Sequence, residues 1–102
     1  MQKDLKMEDK IIKLNRGDWS GKTIETKIEE DGSFTLYGYR FEIKTEELEG
    51  GDKVAFIKGN EWREPLGRGY LLKGVWVFKG QGISREDENM YVAAIQLLCM
   101  II

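Results

Sequence analysis

The stretch SREDENMYVAAIQLLCMII, residues 84–102, decides how the chain is read. From Met90 to Ile102 every residue except Gln96 is apolar. Ahead of it stand Ser84, a good N-cap residue, and Glu86, Asp87 and Glu88, acids suited to the partial positive charge of a helix N-terminus. The expected element is a helix that starts in water at Ser84 and ends in a core. A helix apolar around its whole circumference is normally buried. The preceding residues therefore have to supply a surface that covers it.

Those residues read as strands. The chain has 102 residues, with twelve glycines and a single proline, Pro65, which argues for turns and strands over a helical bundle. Residues 1–9 are polar and expected as a flexible arm; residues 10–102 are expected as one domain. Lys10 to Leu14 is a short strand candidate. The turn chemistry of Asn15, Arg16, Gly17 and Asp18 follows, then Trp19. Thr23 to Ile28 is rich in β-branched residues, and Asp31-Gly32 signals a hairpin turn. Phe34 to Ile43 reads as the returning strand, with its apolar phase changing at Gly38, where a bulge or sharp bend is expected. Thr45 to Leu48 reads as one helical turn capped by Thr45.

Lys53 to Lys58 is a strand apolar on both faces, and Glu61 to Gly69 the one long loop. Tyr70 to Lys79 reads as a single strand, the most apolar one and therefore central. The sum is an α+β fold: a curved antiparallel sheet, or a small partly open β-barrel, of about five strands packed on one C-terminal helix.

Composition narrows the chemistry. There is no histidine, which removes Ser-His and Cys-His nucleophile pairs, His-ligated zinc and imidazole acid–base work. The lone cysteine, Cys99, sits among apolar neighbours and reads as a small core residue in a reducing compartment. The 13-residue apolar run is short of the roughly 20 that span a bilayer. The charged N-terminus has no signal-peptide character, so a cytoplasmic protein without membrane contact is expected. The acidic clusters at Glu29-Glu30-Asp31 and Glu46-Glu47 resemble no ordered calcium loop. Neither a metal nor a cofactor is expected.

Two features carry functional expectations. Trp62, Arg63 and Arg68 fall in the 61–69 loop and are residue types that anchor protein interfaces. From Lys53 to Arg85 the chain holds seven cations against two anions, interleaved with aromatics. Lys53, Lys58, Tyr70, Lys73 and Lys79 in that stretch form a possible anion-binding set. The leading expectation is a non-enzymatic binding protein that docks on a larger protein partner as an inhibitor or adaptor. The alternative is an anion-binding module for nucleic acid or a nucleotide, and a third reading is a histidine-free nuclease toxin. A helix apolar all round also suggests a homodimer formed through it.

Overall fold

Three dipeptides fold most of the chain. Tyr37-Gly38, Lys73-Gly74 and Gln81-Gly82 each carry positive φ at both residues, between 52° and 83°. This is the two-residue hairpin turn whose twist matches that of paired strands. Glycine takes the second position freely, while the tyrosine, lysine and glutamine accept a conformation that costs a side chain. The computed structural model describes residues 11–15 and 23–102.

The strands are β1 (Ile11–Asn15), β2 (Thr23–Lys27), β3 (Phe34–Leu36), β4 (Tyr39–Glu47), β5 (Lys53–Gly59), β6 (Gly67–Leu72), β7 (Val75–Gly80) and β8 (Ile83–Asp87). The helix α1 (Met90–Ile101) follows. β3 to β8 form one antiparallel meander in sequence order, and β1 pairs with β2 in a separate two-stranded sheet. The meander curls into a half-barrel around α1, which packs mainly on β8 and β7 and touches β6 and β1.

The helix is roofed as its composition requires. Ala93, Ala94, Ile95, Leu97 and Leu98 are fully buried against Phe34, Phe41, Ala55, Ile57 and Phe78 from the sheet. Ile95, Leu97 and Leu98 each stabilise the fold by about 1.5–3 kcal/mol through that burial. Cys99 is half-buried and packs on the same cluster. On the helix only Met100 remains a large exposed apolar side chain, with Ile102 just beyond it.

The α+β architecture agrees with the sequence reading; several boundaries do not. Phe34 to Ile43 is not one bulged strand, because Tyr37-Gly38 turns the chain back into a hairpin. Thr45 starts no helical turn: β4 continues through Glu47, paired residue by residue with β5. Tyr70 to Lys79 splits at Lys73-Gly74 into β6 and β7. The 61–69 loop is shorter than expected, since β6 begins at Gly67. Asp31-Gly32 does turn the chain, but β2 and β3 share no ladder; they meet through the Thr26 hydroxyl, which donates to the Thr35 carbonyl at 2.6 Å. The two splits, together with β8 ahead of the helix, raise the strand count from about five to eight.

The helix start also differs. Ser84 to Asp87 belongs to β8, so the three acids do not occupy the first helical turn. Asn89 is the cap, its Oδ1 accepting from the amides of Tyr91 at 2.8 Å and Val92 at 3.2 Å. Asp87 in turn accepts from the Asn89 amide at 2.7 Å. The cause is the Gln81-Gly82 turn, which returns the chain along β7 before the helix can begin. The expected N-terminal arm (1–9), the residues 16–18 and Trp19 lie outside the described residues.

A polar cluster ends β3. Ser33 donates its amide and hydroxyl to Asp31 Oδ1 at 2.9 and 2.6 Å, and Arg40 Nη2 donates to the Ser33 hydroxyl at 2.6 Å. The Ser33 hydrogen bonds, with Arg40 beside them, hold the Asp31 carboxyl below its usual range. Above this cluster the Tyr91 hydroxyl donates to the Gly32 carbonyl at 3.1 Å, tying the loop to the helix.

Candidate functional site

Strand pairing decides which expected site residues share a surface. Along β4 to β8 one face carries Phe41, Ala55, Ile57 and Phe78 and packs on α1; the alternate residues form the outer face. One row across the outer face runs Lys44, Phe56, Arg68, Lys79, Ser84, each the direct cross-strand neighbour of the next. The adjacent row runs Glu46, Val54, Tyr70, Val77, Glu86. Beyond Tyr70 and Val77, toward the Lys73-Gly74 turn, lie Leu72 and Val75.

The centre of this face is apolar. Tyr70 is 36% exposed and Leu72 54%. Val77 is 7% exposed yet takes no part in the core cluster, so its neighbours on the outer face cover it. A shallow groove of about 320 Å³ is lined by Glu46, Leu48, Val54, Phe56, Arg68 and Tyr70. The Arg68 guanidinium lies 5.9 Å from the centre of the Phe56 ring, and the Lys79 ammonium 5.9 Å from that of Tyr70. Such contacts contribute about 0.5–1 kcal/mol each at exposed sites. They also hold two cations over the apolar centre.

Charges of both signs rim the patch. Lys44 pairs with Glu42 at 3.3 Å, and Lys58 stands opposite Glu42 on the neighbouring strand. Glu46 and Glu86 end the apolar row on its two sides. The cation excess between Lys53 and Arg85 is therefore diluted in space by acids that β4 and β8 bring alongside.

The expected residues separate into groups. Arg68, Lys58, Tyr70 and Lys79 share the outer face. Lys73 sits in the turn after Leu72. Lys53 falls on the inner parity, opposite Glu47, and lines a cleft of about 410 Å³ with Thr45, Glu46, Glu47, Trp76 and Met90. Trp62 packs back on the inner face. Its ring stacks on Phe41 at 5.6 Å and 23°, and meets Tyr39 edge-on at 5.0 Å. It lies so close to Gly59 that a Cβ there would stand 2.5 Å from the ring. Arg63 beside it is exposed. Trp62 and Arg68 thus occupy opposite faces of the sheet.

Sequence reasoning passed over Val54, Phe56 and Lys44 as surface residues. The signal lay in Lys53 to Lys58, whose two apolar parities are Val54 with Phe56 and Ala55 with Ile57. Only one parity can face the helix.

Among the described residues no group of three or more cysteine, aspartate or glutamate side chains is placed to hold a metal ion, and no helix is long and apolar enough to cross a membrane. No protein-family model, curated protein or solved structure matches the chain.

Proposed function

We propose that the chain is a non-catalytic docking module that binds a larger protein partner, as an inhibitor or adaptor, through the outer face of its half-barrel. The observation that carries this reading is the row Val54–Tyr70–Val77, with Phe56 and Leu72 beside it, apolar at the centre and rimmed by charges of both signs. An apolar centre with a polar rim is the anatomy of a protein interface. Arg68 and Tyr70 are the anchor types such interfaces favour. The groove of about 320 Å³ beside them offers a partner side chain a seat. The homodimer expected through α1 has less to use, since Met100 and Ile102 are the large apolar side chains exposed there.

The arrangement of Arg68 over Phe56 and Lys79 over Tyr70 supports the second reading, an anion-binding face for single-stranded nucleic acid or a nucleotide. Against it stand Glu42, Glu46 and Glu86, which a phosphate backbone crossing this face would meet.

Affinity capture from the native host lysate, with and without nuclease, separates the two. The first reading expects a protein captured by the wild type, unaffected by nuclease, and lost with Arg68→Glu/Tyr70→Ser. Retained capture by that double variant, with an unchanged thermal melt, defeats it. Binding that needs intact nucleic acid and falls steeply with salt supports the second reading instead.

A further inference from the structure

The two edges of the meander are not alike, and the difference follows from hydrogen-bond phase. In a two-residue hairpin the residues flanking the turn exchange both backbone bonds, and pairs alternate from there. Leu36 and Tyr39 flank the first turn, so the odd-numbered residues of β4 turn their N–H and C=O groups toward β3 and the even-numbered ones toward β5. The Arg40 carbonyl, which accepts from the Asn60 amide at 3.0 Å at the end of β5, agrees with this phase. β3 stops at Phe34, opposite Phe41. Ile43, Thr45 and Glu47 therefore present six main-chain groups at an edge that no described residue pairs.

The other edge is treated differently. Gly80 and Ile83 flank the last turn, so Ser84 points its carbonyl away from β7. There the Arg85 guanidinium donates to it at 2.8 Å. A side chain thus occupies one carbonyl of the β8 edge, a device that discourages pairing there. Among the described residues, no side chain bonds to the outward main-chain groups of Ile43, Thr45 and Glu47.

The chemistry around the open half of β4 is specific. The cleft of about 410 Å³ beside it is lined by Thr45, Glu46, Glu47 and Lys53 together with the apolar Trp76 and Met90. Trp76 is stacked on Phe78, ring centres 6.0 Å apart, so its position is fixed. An added strand places alternate side chains over this cleft and the others on the outer side. On that outer side Glu42 and Glu46 stand with Lys44, which Glu42 already pairs.

We infer that the open edge of β4, Ile43–Glu47, accepts an extended segment of a partner protein as a further strand, one that alternates large apolar residues with cationic ones. Main-chain bonds to Ile43, Thr45 and Glu47 supply affinity, the Trp76–Met90 cleft takes an apolar side chain, and Glu46 meets a cation. This is strand addition, a recognised mode of peptide capture. The inference rests on the docking reading in kind, but draws on the main-chain edge of β4 in place of Arg68 and Tyr70; Glu46 borders both surfaces.

The probe is the peptide acetyl-KVKFKVK-amide, with the same peptide N-methylated at alternate residues as its control. Amide hydrogen exchange of the full chain is followed by NMR. At about 1 mM peptide, the amides of Ile43, Thr45 and Glu47 are expected to slow by about tenfold and the Trp76 indole resonance to shift. The peptide methylated on the β4-facing edge is expected to do neither. Arg68→Glu/Tyr70→Ser is expected to retain peptide binding. If the peptide fails while that double variant still loses the lysate partner, the outer-face reading stands and the edge inference falls. Three further results overturn it: equal binding of both peptides, slow exchange at these amides in the free chain, or slowing that grows with protein concentration. The last would assign the edge to a second copy.

Discussion

The same strands show two different surfaces, and the contrast between them is the main lesson of the molecule. On the inner face Phe41, Ala55, Ile57 and Phe78 are completely buried, and glycines stand where a side chain would collide with its neighbour. On the outer face Val54, Phe56, Tyr70 and Leu72 are apolar too, but are left partly open and bordered by charge. The first set specifies the fold; the second is surplus to it. Truncation should separate them. Phe78→Ala opens a cavity under α1 and is expected to cost about 3–5 kcal/mol. Phe56→Ala removes a half-exposed ring and is expected to cost about 1 kcal/mol. Urea unfolding of the two variants measures both, and equal costs would break the contrast.

A smaller effect sharpens it. Gly69 is the cross-strand neighbour of Phe78, and a Cβ there would stand 2.5 Å from Phe78 Cε2. Gly69→Ala must displace a buried ring that has nowhere to go. The expected loss is about 1–3 kcal/mol. Gly74, by contrast, has open space around it. Its positive φ of 83° alone resists a side chain, so Gly74→Asn, a residue that tolerates this conformation, is expected to change stability by less than Gly69→Ala. Thermal melts of the two variants under one buffer decide the order.

How much of this was legible beforehand depends on the kind of signal. The burial of residues 90–102 is written in their composition, because twelve apolar residues in thirteen have no other favourable place. The hairpins were hidden because their first turn residue is a tyrosine, lysine or glutamine, none of which announces positive φ as asparagine or aspartate does. Missing those turns fused β3 with β4 and β6 with β7, and made Ser84 look like a helix cap. Part of the outer face was individually visible: Arg68, Tyr70, Lys58 and Lys79 are binding-type residues in the sequence, whereas Val54, Phe56 and Lys44 carry no such mark. Their grouping was not, since it depends on register. Lys44 joins Arg68 only through two strand pairings and Lys79 through a third, and Glu86 reaches the apolar row from beyond the basic stretch. Charge that segregates along a chain need not segregate in space.

An effect no larger than that of Phe56→Ala concerns the loop that joins the two sheets, where the helix reaches back to hold Gly32. Burial raises the Tyr91 phenol above its ordinary value of 10.0, and the Asp31 carboxylate nearby adds to the shift. The folded chain thus keeps this proton to higher pH than the unfolded chain does. Its contribution is complete below about 10 and is lost as pH rises through the folded value. Asp31 has the opposite sense: its carboxyl is held below the usual 3.8, so its contribution is present above that value and is lost as pH falls through the lowered one. Tyr91→Phe keeps the edge-on contact with Phe34, 6.0 Å between ring centres, and removes only the hydroxyl. At neutral pH it is expected to cost about 1 kcal/mol, the worth of one hydrogen bond to a part-buried carbonyl. It should also flatten the alkaline limb of a stability–pH profile while leaving the acid limb to Asp31. An alkaline limb identical in wild type and Tyr91→Phe would show that the helix does not clamp this loop through the phenol.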